Sequence, residues 1–388
     1  MNTAKGAFWL VVAALHWLLP LQWGDDAVFM RVVQQRSLVE FLQTSSRPII
    51  DTITYIFASY PFLWRLFNPL VLFALWLLLT RLLHIRTAKQ QIFLGFAVVV
   101  LSMSLVDAGF MATTINYLWP MTFALYVAYT LLRSPKRLAW LRVLLCIPAL
   151  LYAMNMQQMA LMLPIALAVM TAFAWWQKQF GKAGLIGAFF LLSTLAAAFS
   201  FYQSALGNNA RIIRETHRYF PAFGELSLLQ RSELGFTSTM HGLAASVSIP
   251  AVVFLVFCAA MLVVALRRPL PRWQKALCAL PLLLTIVPQS VQRVLPITNP
   301  VMSHAQYLFS PGTLALFLLL AAATVVSILT LTPASRRILT AFVLVLGFGS
   351  RMLMGFSPTV WASGYRTFYL LLFAVGVAWV WLSNPQEK

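Results

Sequence analysis

Long apolar runs separated by short polar segments extend along the whole chain. Twelve of these runs approach the roughly 20 residues that a helix needs to cross a bilayer. They lie at about 6–22, 66–84, 91–106, 118–132, 139–153, 157–177, 184–202, 246–266, 276–288, 310–332, 338–350 and 365–383. The pattern predicts an all-α polytopic membrane protein of about 12 transmembrane helices. No long polar linker interrupts it, so residues 1–388 are expected to form a single membrane domain.

The composition excludes a soluble globule. The chain is 61% hydrophobic and 10% charged, with a mean hydropathy of +0.82. So few polar side chains cannot cover the surface of a water-soluble protein of this size.

The distribution of basic residues predicts the orientation. If the N-terminus is cytoplasmic, all seven lysines fall on the cytoplasmic side, as the positive-inside rule expects: Lys5, Lys89, Lys136, Lys178, Lys182, Lys275 and Lys388. The C-terminus is then cytoplasmic too. This bias, together with attraction to anionic lipid headgroups, accounts for most of the net charge of +19, so nucleic acid is not an expected partner.

The predicted outer face carries a different set of charges. It consists of two long loops, about 23–65 and 203–245, and three shorter ones. Eight of the nine acidic residues lie there or at its margins: Asp25, Asp26, Glu40, Asp51, Asp107, Glu215, Glu225 and Glu233. Every basic residue on this face is arginine. The planar guanidinium pairs with two phosphate oxygens at once, so the set suits a phosphate-bearing ligand. The alternative is that these arginines reach to headgroups or pair with loop acids.

Asp25 and Asp26 stand together directly after the first apolar run. Gly24 before them allows a sharp turn at the membrane surface. Two adjacent carboxylates repel each other, so one pKa is expected to rise toward a value that suits a general base. The alternative is structural, because either aspartate is a good N-cap for a helix across Ala27–Leu42, whose pattern is typical of an interfacial helix.

Three further groups of residues suit a phosphorylated sugar ligand. In the second long loop, a helix would place Arg211, Arg214, Glu215 and Arg218 on one face, although a solvated face with internal ion pairs has the same pattern. Asn208 before it fits a cap or turn that meets an anion. Arg366, with Arg351 and Arg293, lies at span ends, where a ligand, an acidic partner or snorkelling would compensate the charge. Asn116 and Trp119 suit a sugar ring, by hydrogen bonding and stacking, or an aromatic belt at the interface.

Four islands of sequence carry a resemblance to a known class. They are the acid pair at 25–26, Asn116–Pro120, Gly207-Asn208 with Arg211, and Gly355–Thr359 followed by Ser363–Arg366. Together they resemble integral-membrane glycosyltransferases of the GT-C class, and are most similar to bacterial and phage-borne O-antigen glucosyltransferases of the Gtr type. Leu206 is a departure, because proline is expected at that position in relatives.

The resemblance implies a multi-pass enzyme of the bacterial inner membrane with a periplasmic active site. It implies inverting transfer of a sugar, expected to be glucose, from a polyprenyl-phosphate donor to a lipopolysaccharide O-antigen or similar glycan. Asp25 or Asp26 would be the general base. Arg211, Arg214 and Arg366, with Arg293 and Arg351, would bind the donor phosphate, and Asn116, Trp119, Asn208 and Glu215 would contact substrate. No cofactor or metal is expected; a divalent cation on the acid pair is the less favoured alternative, since arginines can supply the charge.

Two other functions remain open at this stage. A flippase or transporter of a lipid-linked sugar also needs a phosphate-binding cavity, but coupled transporters usually carry ionisable residues near the membrane midplane. Here the acids lie at span ends and in loops. An O-antigen polymerase or ligase would use a lipid-diphosphate oligosaccharide and would also suit arginine-rich outer loops.

Overall fold

A computed structural model describes residues 3–43, 45–133, 139–207, 209–294 and 311–383. For 139, 204–207, 209–211, 288–294 and 383 it describes the backbone alone. All regular elements in these ranges are helical. The chain divides into two compact units, unit 1 at residues 1–211 and unit 2 at residues 212–388, which are described separately. The single domain stays a prediction.

Seven described helices are long and apolar enough to cross a membrane, which confirms a helical membrane protein. They are Pro61–Leu82, Gln157–Trp176, Phe180–Gln203, Ile249–Arg267, Pro311–Leu331, Ala334–Phe356 and Tyr365–Leu382. Three shorter apolar helices accompany them, at Thr3–His16, Ala88–Ser104 and Trp140–Met154. The count of twelve spans and their orientation stay predictions.

Unit 1 contains eleven α-helices among its described residues. In chain order they are α1 (Thr3–His16), α2 (Gly24–Gln35), α3 (Leu38–Leu42), α4 (Pro48–Ser59), α5 (Pro61–Leu82), α6 (Ala88–Ser104), α7 (Phe110–Thr113), α8 (Trp119–Leu132), α9 (Ala139–Met154), α10 (Gln157–Trp176) and α11 (Phe180–Gly207). A π-helical turn, Thr114–Leu118, joins α7 to α8, so the chain is helical from residue 110 to residue 132.

The first long loop is helical. A single helix across Ala27–Leu42 is corrected to two, because α2 ends at Gln35 and Ser37 starts α3. The Ser37 side chain accepts from the Glu40 amide while Glu40 accepts from the Ser37 amide, a capping box that fixes a new helix start. Proline at the first position begins both α4 and α5, where its missing N–H costs nothing.

Helix α5 is extensively buried in unit 1. Trp64, Leu72 and Leu75 along it are fully buried, and α1, α6 and α8 pack against it. A buried chain of hydrogen bonds links three of these helices. The Trp119 indole donates to Asn68 Oδ1 at 2.9 Å, and Asn68 Nδ2 lies 3.0 Å from His16 Nε2. His16 Nδ1 in turn lies 2.7 Å from the Val12 carbonyl, so every member has a partner.

Unit 2 contains the remaining described helices. They are α12 (Asn209–Tyr219, which begins before the boundary at 211), α13 (Leu228–Met240), α14 (Ile249–Arg267), α15 (Arg272–Val294), α16 (Pro311–Leu331), α17 (Ala334–Met352) and α18 (Tyr369–Ser383). A π-helical turn, His241–Ala245, follows α13, and a 3₁₀ turn, Leu353–Phe356, follows α17. Gly235 and Gly355 allow the backbone of α13 to contact the backbone at the end of α17 and in the 3₁₀ turn. A Cβ on Gly235 would lie 2.2 Å from the Met352 carbonyl oxygen.

Candidate active site

The acid pair of unit 1 lies where the chain turns from α1 into α2. Gly24 has φ +58°, and a Cβ there would lie 2.8 Å from the Ala108 carbonyl group. The Asp25 amide donates to the Ala108 carbonyl at 2.8 Å. The start of α2 is therefore held against residues 108–112, which comprise the entry to α7 and its first three residues.

Asp26 caps α7 rather than its own helix. Its side chain is fully buried, Oδ1 accepts from the Ala112 amide at 2.7 Å, and Oδ2 accepts from the Met111 amide at 3.0 Å. Gly109 makes room for the carboxylate: its φ is +110°, and a Cβ would lie 2.6 Å from the Asp26 carboxyl group. The N-cap residue of α2 itself is Trp23, whose side chain makes no capping bond. The expected capping role thus falls on a helix about 85 residues later in the chain.

Burial raises the pKa of Asp26 to about 6. The amides of Ala112, Met111 and Phe110 oppose this shift, because they stabilise the ionised form. The charge of Asp25 adds a further, smaller rise. The repulsion predicted from sequence is therefore present, but loss of water is the larger cause of the raised pKa.

Asp25 differs from its neighbour in access to solvent. Its side chain is half-buried, whereas Asp26 has no exposed surface. Trp23 packs edge-on against Phe110, with ring centroids 5.7 Å apart, next to the pair. The Trp64 indole donates to Thr114 Oγ1 at 2.8 Å, which fixes the following π-helical turn. The two carboxylates thus sit in a rigid frame, one clamped and one accessible.

Asn116 and Trp119 are both buried beneath this surface. Asn116, in the π-helical turn, donates from Nδ2 to the Ala112 carbonyl at 2.7 Å. Trp119 is 6% exposed, donates to Asn68, and packs edge-on against Phe57 at 5.5 Å. Both side chains are thus engaged within unit 1, and their contact with substrate stays a prediction.

Helix α12 in unit 2 forms where the spacing of its arginines predicts it. Arg214 and Arg218 are exposed, and Glu215 between them is half-buried. Ile212 and Ile213, on the other side of the helix, are 40% and 68% exposed. Asn208 and the side chain of Arg211 lie outside the described residues. The described part of α12 is therefore an exposed helix with one cationic and one apolar face.

Two arginines hydrogen-bond to the segment 357–368 of unit 2: Arg351 from the end of α17, and Arg366 from within the segment. Arg351 is 3% exposed, donates from Nη2 to the Val360 carbonyl at 3.3 Å, and stacks on Phe368 with 4.6 Å from Cζ to the ring centroid. Arg366 is half-buried, and its Nε donates to the Ser363 carbonyl at 2.9 Å. Arg351, at the end of α17, is thus buried against this segment rather than snorkelling. The side chain of Arg293 lies outside the described residues.

Two residues near this segment carry no signal in the sequence. His241 is buried in its π-helical turn, edge-on to Trp361 at 5.7 Å, and burial lowers its pKa to about 4. It is therefore neutral at pH 7. Arg231 of α13 stacks on Phe223 with 4.8 Å from Cζ to the ring centroid. Neither residue belongs to a spaced motif, so only tertiary packing reveals them.

Among the residues that the structure describes, no group of three His, Cys, Asp or Glu side chains is placed to hold a metal ion. Comparisons of the chain with protein-family models, with curated proteins and with solved structures found no match. The function is therefore argued from the residues themselves.

Proposed function

We propose that the protein transfers a sugar from a polyprenyl-phosphate donor to a glycan acceptor at the outer face of a bacterial inner membrane, with inversion at the anomeric carbon. The observation that carries the proposal is the division between the two aspartates. A general base must be ionised and reachable by the acceptor hydroxyl. Asp25 is accessible, and Asp26 beside it is clamped by two amides.

In the proposed reaction Asp25 accepts the proton of the acceptor hydroxyl. The hydroxyl oxygen attacks the anomeric carbon as the bond from that carbon to the donor phosphate oxygen breaks. The electron pair leaves with the lipid phosphate, and the new glycosidic bond forms on the opposite side of the ring. A single displacement of this kind needs one base, in contrast to the two carboxylates of retaining hydrolases.

Asp26 acts in this scheme as a positioning residue. Its bonds to Met111 and Ala112 fix the first turn of α2, and the Asp25 amide bond to Ala108 fixes the adjoining backbone. A base held by a rigid backbone loses little entropy when the acceptor binds. The pair therefore combines one reacting and one supporting carboxylate.

The role of binding the donor phosphate is proposed for arginines on the ground of the sequence alone. Arg214 and Arg218 present exposed guanidinium groups on one face of α12, and Arg366 is half-buried at the start of the last helix. Guanidinium groups bind phosphate oxygens bidentately and stabilise charge that develops in the transition state. Arg351, buried under Phe368, supports the segment that carries Arg366. For Arg211 and Arg293, binding of the donor phosphate is proposed from the sequence alone.

The test uses the full-length protein in detergent, synthetic polyprenyl-phosphate sugar with a labelled sugar, and a purified glycan. Wild type is expected to label the glycan, and Asp25→Asn to lower the rate about 10²- to 10⁴-fold. Glu225→Gln, which removes an exposed carboxylate of unit 2, is the matched control and should keep the wild-type rate.

Two other outcomes would reject the proposal. Consumption of a lipid-diphosphate oligosaccharide in place of the monosaccharide phosphate would make the protein a polymerase or ligase. Movement of the intact donor across liposome membranes without transfer would make it a flippase.

A further inference from the structure

A cavity of about 480 Å³ opens at the far end of unit 1. It lies between the beginning of α1, the end of α5, the connection from α5 to α6, and the end of α8. Helix α5 has 22 residues and is about 33 Å long. Its first turns carry Trp64, which bonds to Thr114 near the acid pair, and its last turn borders the cavity. The cavity is thus separated from the acid pair by the length of a membrane-spanning helix.

The charges around this cavity have one sign. Lys5, Arg81, Arg86 and Arg133 line it together with His84, and none of the described lining residues is acidic. The sequence carries no Asp or Glu at 1–24, 52–106 or 108–214, which include all of the elements around the cavity. These four cations come from three separate parts of the chain, and Arg81, Arg86 and Arg133 are exposed, so water and salt screen part of their mutual repulsion. An anion bound between them would relieve the remainder.

An unused hydrogen-bonding group also lines the cavity. Thr80 Oγ1 is buried and has no hydrogen-bond partner among the described residues, although most helical threonines bond to their own backbone. A buried hydroxyl without a partner is costly, and such groups often mark an absent ligand or water. The positive-inside rule explains an excess of basic residues at this end of the chain, but it does not explain a hydroxyl left unpaired beside them.

The wall of the cavity is built to hold its shape. The Trp76 indole donates to the Gln91 carbonyl at 2.7 Å, and Gln91 Nε2 donates to the Ile85 carbonyl at 2.7 Å. His84 has φ +52°, a left-handed conformation that ends α5 and is uncommon for residues other than glycine. The connection that carries His84 and Arg86 is therefore fixed by hydrogen bonds on both sides.

We propose that this cavity binds a phosphate group, carried either by an anionic membrane lipid or by a soluble compound. The guanidinium groups of Arg81, Arg86 and Arg133 bind its oxygens, the Lys5 ammonium adds charge, and the Thr80 hydroxyl donates a further bond. A cavity of unit 2 gives an internal contrast. It measures about 320 Å³ and is lined by Gln274, Val326, Leu329, Thr330 and Arg337, with a single cation among its described lining residues.

The test titrates the full-length protein in neutral detergent with three probes and follows its thermal unfolding. The probes are a short-chain phosphatidylglycerol, the matched zwitterionic phosphatidylcholine, and inorganic phosphate. Saturable stabilisation by phosphatidylglycerol, but not by phosphatidylcholine, identifies a lipid phosphate; saturable stabilisation by inorganic phosphate identifies a soluble source. The variant Arg81→Gln, Arg86→Gln, Arg133→Gln should weaken the binding at least about tenfold, and Thr80→Val should weaken it by a smaller factor.

The control removes three exposed arginines from unit 2: Arg267→Gln, Arg272→Gln, Arg337→Gln. It changes the net charge equally, so it should leave the affinity within about twofold of wild type. An equal loss of affinity in both triple variants would reduce the effect to general surface charge and overturn the proposal. Absence of saturable stabilisation by every probe would overturn it as well. A failure of sugar transfer bears on neither result, because binding is measured without donor or acceptor.

Discussion

The two ends of unit 1 hold opposite charges in opposite ways. At one end the Asp26 carboxylate is buried and accepts two backbone amides at 2.7 and 3.0 Å. At the other end Arg81, Arg86 and Arg133 line an open cavity, beside a Thr80 hydroxyl that lacks a partner among the described residues. The Asp26 carboxyl group is hydrogen-bonded within the chain, so a positioning role is inferred for it. The arginines have no acidic partner among the described lining residues, which is why a ligand is inferred there.

The largest effect is expected from closing the space that Asp26 occupies. Gly109→Ala places a Cβ 2.6 Å from the carboxyl group at φ +110°, a conformation that is strained for any other residue. We expect the free energy of unfolding in detergent to fall by more than about 4 kcal/mol. Gly181→Ala is the control, since nothing lies within 4 Å of its Cβ position. Equal stability of the two variants would show that the Asp26 carboxyl group does not require a glycine at position 109.

The next effect follows from removing the capping carboxylate. Asp26→Ala leaves the amides of Met111 and Ala112 buried without their acceptor. We expect a loss of about 3–4 kcal/mol, because each orphaned amide costs about 1–3 kcal/mol. In this variant, hydrogen exchange should be faster at these two amides than at the amides of α8, which would locate the loss of stability at the start of α7. A variant as stable as wild type would contradict the capping role.

The stability should also depend on pH through the same residue. Burial raises the pKa of Asp26 to about 6, above its ordinary value, so the folded state holds the proton more tightly than the unfolded state. The resulting stabilisation is complete below about pH 4 and is lost as the pH rises through about 6, with a size of about 2–3 kcal/mol. Asp26→Asn should lack this slope when unfolding is measured from pH 4 to pH 7. An identical slope in the variant would assign the titration to another group.

The smallest effect compares two threonines at opposite ends of the same unit. Thr114→Val removes the acceptor of the Trp64 indole and should cost about 1–2 kcal/mol. Thr80→Val removes a buried hydroxyl with no partner among the described residues, so without phosphate it should leave the free energy of unfolding unchanged or raise it. Equal costs for the two substitutions would show that Thr80 is already satisfied.

The sequence predicts those features that depend on local pattern. Hydropathy predicts a helical membrane protein, of which seven described helices are long and apolar enough to span, and the spacing of the arginines predicts α12 at Asn209–Tyr219. It does not predict that Asp26 caps a helix that begins at Phe110, nor that Trp119 donates to Asn68, because these partners lie 51 to 86 residues apart. Local sequence treats Asp25 and Asp26 as equivalent carboxylates, and only the packing of Gly109 and α7 separates them.

The most direct test of this separation compares Asp25→Asn with Asp26→Asn in one preparation, with sugar transfer and thermal unfolding measured on each. We expect Asp25→Asn to unfold as wild type does but to lose transfer about 10²-fold or more. We expect Asp26→Asn to unfold at a lower temperature, because an amide offers one acceptor oxygen where two amides need one each, and to retain transfer while folded. Full activity in Asp25→Asn, or wild-type stability with lost transfer in Asp26→Asn, would contradict the account.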